Sequence, residues 1–171
     1  MKQIKYIFGF IVIATSLVLP ISIYAGATQA KTISNWQKIS HEEYTFSIPE
    51  KWQEDADTDI WAPKDKMLNM GRPKTSLHVG TIPPIPGKSI DGLLAFYYGS
   101  TPKISHNVHK CGMDGFFVEI DVRGYKHLGL ILVEELGSMK LLNFFDCQAP
   151  TGEFRKEQET FKKILDSVGC D

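Results

Sequence analysis

A regular alternation of apolar and polar residues in segment 44–48 (YTFSI) is the first pattern along the chain. Its period of two predicts a strand with one buried face. Pro49 follows at once, and because proline cannot donate to a strand ladder, it ends this strand or marks a sheet edge. Two shorter apolar runs, Ile60-Trp61 and Leu77-His78-Val79, predict two more short strands.

The second half of the chain contains strand-like runs separated by tight glycine turns, which predict an antiparallel meander. The last two runs carry apolar residues on both faces, so we expect both faces of the sheet to be covered. The four runs are 103–111, 116–123, 126–135 and 139–147.

Two helices are predicted, one before the meander and one after it. Ser89 is a suitable N-cap for the first helix, and Gly99 ends it. For the second helix we expect Thr151 to be the N-cap and Gly169 to stop it. The apolar residues at helical spacing are Ile90, Leu93, Leu94 and Tyr97 in the first helix, and Phe154, Phe161, Ile164, Leu165 and Val168 in the second.

This order of elements resembles the Mog1/PsbP-like superfamily. The likeness spans nearly all of residues 36–168 and is carried by segment 44–49 (YTFSIP) with Trp52, the turn Gly112-Met113-Asp114-Gly115, and the helical segment 161–167. It implies an α/β fold, an α/β/α sandwich in which helices flank a twisted antiparallel sheet. It also implies a binding module, since members of the superfamily share no catalytic residue and a fold alone does not define a reaction.

The first 27 residues have the features of a secretory signal peptide. Two lysines precede an uncharged apolar run at 6–19, and Ala25-Gly26-Ala27 is a small-residue cleavage site, with Ala30 as a second possible position. A retained membrane anchor is the competing interpretation, but the apolar run is shorter than the ~20 residues that a spanning helix needs. We therefore expect one domain at 28–171, located in the periplasm or secreted.

The charge balance of the exported part argues against some classes of partner. Removing the two lysines of the signal from the chain's 19 basic residues leaves 17 against 20 acidic ones, a net charge of −3. Bulk electrostatics then give the protein no reason to bind nucleic acid or an anionic membrane surface. The expected partner is another protein.

The strand order selects one disulfide among the three cysteines, Cys111, Cys147 and Cys170. In the predicted meander Cys111 and Cys147 lie at opposite ends of the sheet, about 25 Å apart, whereas a disulfide needs Cα atoms within about 7 Å. The closing helix climbs about 25 Å and returns Cys170 to the end that holds Cys111. An oxidising compartment therefore favours Cys111–Cys170 and leaves Cys147 as a buried thiol. Three free thiols are the alternative if the compartment is reducing.

Two groups of potential metal ligands occur: Asp55, Asp57 and Asp59, and His106, His109 and Cys111. The first group lacks the glycine and the glutamate that an EF-hand loop needs, so we interpret it as a solvated loop. In the second group one histidine points to the opposite face of the strand, and zinc needs three or four convergent ligands. The chain also has no G-x-S-x-G nucleophile motif. The sequence therefore predicts no catalytic residue, no cofactor and no metal site.

The loops contain a better candidate for a functional surface than the two groups of potential metal ligands. A basic loop and the stiff connector at 82–87 (IPPIPG) carry apolar side chains without an evident core position, namely Met67, Leu68, Met70 and Ile85. Exposed apolar groups of this kind mark partner surfaces, although loops also fold such side chains back over a sheet edge. We predict an exported, non-enzymatic domain that binds another protein. The alternatives are an immunity or inhibitor protein that blocks a toxic or degradative enzyme and, from another class, a small hydrolase with a dispersed site.

Overall fold

Ten strands and two helices make up the residues that the computed structural model describes, which are 35–55, 58–66 and 74–171. In chain order they are β1 (Trp36–His41), β2 (Tyr44–Pro49), β3 (Trp52–Asp55), β4 (Ile60–Pro63), β5 (Ser76–Ile82), α1 (Ile90–Tyr98), β6 (Lys103–Lys110), β7 (Met113–Val122), β8 (Tyr125–Leu136), β9 (Met139–Pro150), α2 (Thr151–Asp166) and β10 (Gly169–Cys170). A turn of 3₁₀-helix, Lys64–Lys66, follows β4. The predicted signal peptide at 1–27 lies outside the described residues.

Seven of these strands form one antiparallel sheet in the order β3-β4-β5-β9-β8-β7-β6. Its larger part is the predicted meander, in which β6 to β9 pair consecutively. The turn between β6 and β7 has positive φ at both Cys111 and Gly112, 57° and 70°, as a two-residue hairpin turn with the right twist requires. A Cβ atom on Gly115 would lie 2.3 Å from the carbonyl oxygen of Ile131, so only glycine permits the close approach of β7 to β8 here.

A second, three-stranded sheet was not predicted. In it β2 pairs with β1 on one side and with the two-residue strand β10 on the other. Strands β1 and β10, like the four-residue β3, are short or mostly polar, so they show little of the period-two pattern from which a strand is predicted.

Both faces of the large sheet are covered, as the apolar strands predicted. Helix α1 packs on one face, where Leu94 lies in a cluster with Ile131 of β8. Helix α2 and strand β2 pack on the other face, where Phe161 and Phe46 lie in a cluster with Leu130. Leu130 and Ile131 are successive residues of β8, so they point to opposite faces of the sheet. The fold is the predicted α/β/α sandwich with a central antiparallel sheet.

The ends of α1 agree with the prediction, but one of its buried residues does not. The side chain of Ser89 accepts a hydrogen bond from the backbone N–H of Gly92 at 3.2 Å, and Gly99 ends the helix with φ 71°. The buried aromatic residue is Tyr98, and Tyr97 is 41% exposed. Tyr97 and Tyr98 lie three and four residues after Leu94, so helical spacing does not decide which of them faces the sheet.

The predicted ends of α2 were wrong. Thr151 is the first residue of the helix, and Pro150 occupies the N-cap position without a side-chain hydrogen bond. The helix ends at Asp166, before Gly169 joins β2 as part of β10. Neither α1 nor α2, the helices of the described part of the chain, has the length and apolar character that a membrane crossing requires.

Candidate functional site

The structure contains a disulfide between Cys111 and Cys170, the pair that the strand order predicted. The two Cα atoms lie 5.5 Å apart across a sequence separation of 59 residues. The neighbouring Lys110 donates from Nζ to the carbonyl oxygens of Asp166 at 2.7 Å and Val168 at 2.9 Å. These bonds hold the end of α2 against the β6–β7 hairpin.

The disulfide also removes one of the potential zinc ligands. Cys111 is oxidised, and Nδ1 of His109 lies 2.9 Å from a carboxylate oxygen of Asp114. The ring of His106 stacks on Phe117 with centroids 4.5 Å apart. Each of the three side chains therefore has a structural contact of its own, and within the described residues they form no metal-binding group.

The aspartate-rich loop is only partly described. Asp57 lies outside the described residues, and the carbonyl oxygen of Asp55 accepts a hydrogen bond from the backbone N–H of Thr58. Asp59 lies beside His41 and Glu54, with one potential ligand atom of each within 4.8 Å of the others. Glu54 and Asp59 are exposed, and exposed groups of this kind are common without an ion. The cluster is therefore no basis for a metal site.

Trp52 and Trp61 both lie in the core, each with 1% of its surface exposed. The ring of Trp61 meets Phe46 edge-on at 5.0 Å, and the ring of Trp52 meets Phe161 at 6.5 Å. Neither tryptophan is available to a partner, so both are structural residues.

The structure describes one of the four residues predicted to form a partner surface. Met67, Leu68 and Met70 lie outside the described residues, and Ile85 is half-buried. Ile85 occupies a turn in which the backbone N–H of Lys88 donates to its carbonyl oxygen at 3.0 Å. It lines a groove of about 470 Å³ between the proline-rich connector, the start of α1 and the β8–β9 hairpin.

The tip of the β8–β9 hairpin carries two exposed apolar side chains, of which Met139 lines this groove. Leu136 and Met139 form the last cross-strand pair before the turn and are 45% and 48% exposed. Their pairing explains this exposure: β7 pairs with β8 only as far as Val133, and β5 pairs with β9 only as far as Leu142. The tip thus projects beyond both neighbouring strands.

Phe96 of α1 is the most exposed of the large apolar residues described, at 69%. The Nζ atom of Lys88, which lines the groove, lies 5.5 Å from the centroid of its ring. Ile85, Phe96, Leu136 and Met139 are together termed the apolar rim. Only Ile85 was predicted, because the other three have the sequence pattern of ordinary helix and strand residues.

A second cleft, of about 380 Å³, lies at the C-terminal end of α1. In it Nδ1 of His127 donates a hydrogen bond to a carboxylate oxygen of Asp146 at 2.8 Å, and the two side chains are 13% and 7% exposed. The ring of Tyr98 lies edge-on to His127 at 5.8 Å. This group was not predicted, because its residues come from three separate elements and belong to no motif.

Burial raises the pKa of the Tyr98 hydroxyl well above its ordinary value, and the charge of Asp146 adds to the effect. The hydroxyl is therefore protonated at neutral pH and able to donate. Burial likewise raises the pKa of the Cys147 thiol, with a second contribution from Asp146. Cys147 is thus a buried, protonated thiol without the lowered pKa of a reactive cysteine.

A histidine–carboxylate pair is also two thirds of a hydrolytic triad. The third member is a nucleophile hydrogen-bonded to the other ring nitrogen. Within the described residues, the hydrogen bond of the His127 ring is the one to Asp146, and no hydroxyl or thiol occupies the nucleophile's place. The cleft therefore gives no specific support to the hydrolase alternative.

Comparison with known proteins gives a likeness of fold. No family model matches the chain, and no curated protein matches it. One similar solved structure is a PsbP protein of Synechocystis sp. PCC 6803, with 12% sequence identity and a TM-score of 0.48 over 86% of this chain and 99% of that chain. A second is LpqN of Mycobacterium tuberculosis, involved in cell envelope biogenesis, with 9% identity and a TM-score of 0.46 over 78% of this chain and 89% of that chain. A third is the Ran-binding protein Mog1p of Saccharomyces cerevisiae, with 7% identity and a TM-score of 0.43 over 80% of this chain and 96% of that chain. Two of the three are a PsbP protein and Mog1p, and the likeness is one of fold. At these identities and TM-scores the likeness carries no argument about function.

Proposed function

We propose that the protein is an exported, non-enzymatic domain that binds another protein through the apolar rim. The observation that carries the proposal is the exposed Leu136–Met139 pair at a hairpin tip that projects beyond its neighbouring strands. The tip borders a groove, and Phe96 adds an exposed ring nearby. Exposed apolar groups clustered in this way are characteristic of partner surfaces.

The energetics of the rim favour protein as the partner. Complete burial of a leucine, methionine or phenylalanine side chain contributes about 1.5–3 kcal/mol, so three such side chains contribute a large part of the free energy of binding. Lys88, Lys140 and Asp91 also line the groove, so both signs of charge surround it. An apolar centre with a polar, mixed-charge border is the usual composition of a protein interface.

The rim is tested by changing Phe96, Leu136 and Met139 together to serine. Because these side chains are 69%, 45% and 48% exposed, we expect a small change in melting temperature and a loss of partner capture by the exported protein. The matched control is Ile104→Ser, which removes an equally apolar side chain, 42% exposed, from the start of the edge strand β6, two strands away from β8. Capture is measured by cross-linking from a photoreactive residue at position 138 and, for comparison, at position 103, which are exposed neighbours of the changed positions.

Two outcomes would contradict this proposal. One is normal cross-linking by the triple variant together with reduced stability, which would show that the rim only covers the core. The other is an equal loss of capture in Ile104→Ser, which would place the partner elsewhere. The predicted loop residues Met67, Leu68 and Met70 are changed to serine in a separate variant, and loss of capture there would extend the surface to that loop.

Export is proposed from the signal-like segment at 1–27 and is supported by the Cys111–Cys170 disulfide, because disulfides persist in oxidising compartments. We expect the intact mass of the exported protein to correspond to a chain that begins at Thr28. Full-length protein that stays with the membrane after carbonate extraction would instead show that the segment is a retained anchor.

A further inference from the structure

Strand β5 stops pairing before the hairpin end of β9. The last residues of the two strands that pair are Ile82 and Leu142, and the two residues after Ile82 are prolines. Because proline has no backbone N–H to donate to a sheet, the connector leaves β9 at this point. Met139 and Lys140 of β9 and the connector line the groove of about 470 Å³. The groove therefore lies beside β9 where a continuation of β5 would lie, and this stretch of β9 is termed the open edge.

The backbone of Lys140 directs its hydrogen-bonding groups outward at the open edge. The two-residue turn 137–138 makes Leu136 and Met139 a hydrogen-bonded pair. In an antiparallel ladder such pairs alternate with pairs whose backbone groups point away from each other. Lys140 pairs with Glu135 in this second way, so its N–H and its carbonyl oxygen point toward the side that β5 has left. Among the described residues neither group has a backbone partner.

The groove beside the open edge combines apolar surface with an excess of positive charge. Ile85 and Ile90 line it and are half-buried. Of the charged residues described along it, Lys88 and Lys140 are basic and Asp91 is acidic. The groove also contains the N-terminus of α1, where the helix dipole favours a negative charge. These features are complementary to a segment that carries both apolar and acidic side chains.

The opposite edge of the same hairpin is less suited to such a segment. The backbone groups of Glu135 point toward the side of β7, which stops pairing before it reaches this residue. Among the described residues, the groove on that side is lined by the carboxylates of Asp114, Glu134 and Glu135, with Lys140 and His109 as its basic side chains. Lys140 also forms an ion pair with Glu135 at 3.4 Å, but both side chains are exposed and such pairs contribute little. An acidic segment is therefore favoured beside β9 rather than beside β8.

The apolar rim has members on both faces of the sheet, and an added strand would contact both. Leu142, two residues after Lys140 on β9, packs in the cluster with α1. Lys140 therefore points to the α1 face, and Met139 points to the opposite face. Successive residues of a strand at the open edge would likewise point alternately into the groove and toward the face of Met139. Main-chain hydrogen bonds together with pockets for alternate side chains are the usual elements of such strand addition.

We propose that the partner contributes an extended segment with apolar and acidic residues, which adds a short strand at the open edge. This inference rests on the proposed function and specifies how the partner binds. One residue of the segment exchanges two hydrogen bonds with the backbone of Lys140 and directs an apolar side chain into the groove. Its two neighbours point to the opposite face, beside Met139. An acidic residue two positions from the central one points back to the groove side, where Lys88 and the N-terminus of α1 lie.

The probe is a capped pentapeptide, Glu-Val-Leu-Val-Glu, whose pattern is the same in both chain directions. It is titrated into the ¹⁵N-labelled exported protein and followed by NMR. We expect a millimolar dissociation constant, a shift and slower exchange of the Lys140 amide proton, and no such change at Glu135. Methylating the leucine nitrogen of the peptide removes the donor to the Lys140 carbonyl oxygen and should weaken binding about fivefold to tenfold. Methylating a valine nitrogen, which points away from β9, is the matched control and should weaken binding less.

Two proline variants of the protein test the same hydrogen bonds from the other side. Lys140→Pro removes the outward N–H at a position where an edge strand tolerates proline, and it should weaken peptide binding about fivefold to tenfold. Glu135→Pro is the matched control, because it makes the same change on the other edge of the hairpin. Lys140→Ala keeps the N–H and removes the charge, so it should weaken binding less than Lys140→Pro. A peptide with lysine in place of both glutamates should bind more weakly than the original.

Strand addition at the open edge would be overturned by an unshifted Lys140 amide well into the millimolar range of peptide, or by equal affinity of the two methylated peptides. If Lys140→Pro does not fold, the methylated peptides and the exchange of the Lys140 amide decide the question. Partner capture separates this inference from the proposed function. Loss of capture in the Phe96, Leu136 and Met139 triple variant, with equal capture by both proline variants, would leave the partner on the apolar rim without an added strand. Normal capture by the triple variant would instead contradict the proposed function itself.

Discussion

Replacing Trp61 with alanine is expected to lower the free energy of unfolding by about 3–5 kcal/mol, and Trp52→Ala by a similar amount. Each ring is 1% exposed, and each contacts aromatic residues of another layer of the sandwich. Trp61 on β4 meets Phe46 of the small sheet, so its removal leaves a cavity between the two sheets. Urea denaturation followed by circular dichroism measures the loss.

Trp36 is the matched control for both variants. It is half-buried on β1 and packs against the border of the same cluster, so Trp36→Ala should cost clearly less. Partner capture by the folded fraction of Trp52→Ala and Trp61→Ala should be unchanged, because neither ring reaches the surface. Wild-type stability combined with lost capture would make these tryptophans binding residues and would contradict the structural assignment.

The parts of the fold that were predictable are those in which one element repeats its pattern over enough residues. Strands β8 and β9 have 12 residues each, and their apolar runs, bounded by turn residues, indicated strands covered on both faces. The N-cap Ser89 and the C-cap Gly99 act within α1 itself, so the sequence contained both ends of that helix. Strand β10 has two residues, and its pairing with β2 depends on the return of α2 rather than on a local pattern.

The residues of the candidate sites are brought together or exposed by the pairing of strands that are distant in sequence. The sequence alone therefore predicted these sites less well than it predicted the fold. Leu136 and Met139 are exposed only because β7 and β5 stop pairing before the hairpin tip. His127 and Asp146 are 19 residues apart and meet across a ladder whose register the sequence does not state. Ile85 was predicted as a candidate because proline-rich connectors run over the surface, whereas its half-buried side chain also packs against the core cluster beneath α1.

Removing the disulfide by changing Cys111 and Cys170 together to serine is expected to lower the free energy of unfolding by about 4 kcal/mol, the value that the chain-entropy model gives for a closed loop of this length. The sequence separation of 59 residues spans three strands of the meander and α2, so the unfolded chain gains much freedom when the link is lost. The link also fixes β10 beside β2, and with it the end of α2. We expect hydrogen exchange in the variant to accelerate first at β10 and in the last turn of α2, where Lys110 bonds to the carbonyl oxygens of Asp166 and Val168.

Cys147→Ala separates the effect of the disulfide from that of losing a sulfur atom. Cys147 is buried in the core between the sheet and α2, so this change removes one packed atom and should cost about 1 kcal/mol without altering exchange at β10. Peptide mapping without reductant should recover Cys111 joined to Cys170, and alkylation after unfolding should label Cys147 alone. Because Cys147 lies opposite Leu128 in the β8–β9 ladder, a peptide joining Cys147 to either other cysteine is incompatible with that strand register. Such a peptide would contradict both the disulfide pairing and the order of strands in the sheet. Equal stability of the Cys111/Cys170 double variant and the wild type would contradict only the entropic stabilisation by the disulfide.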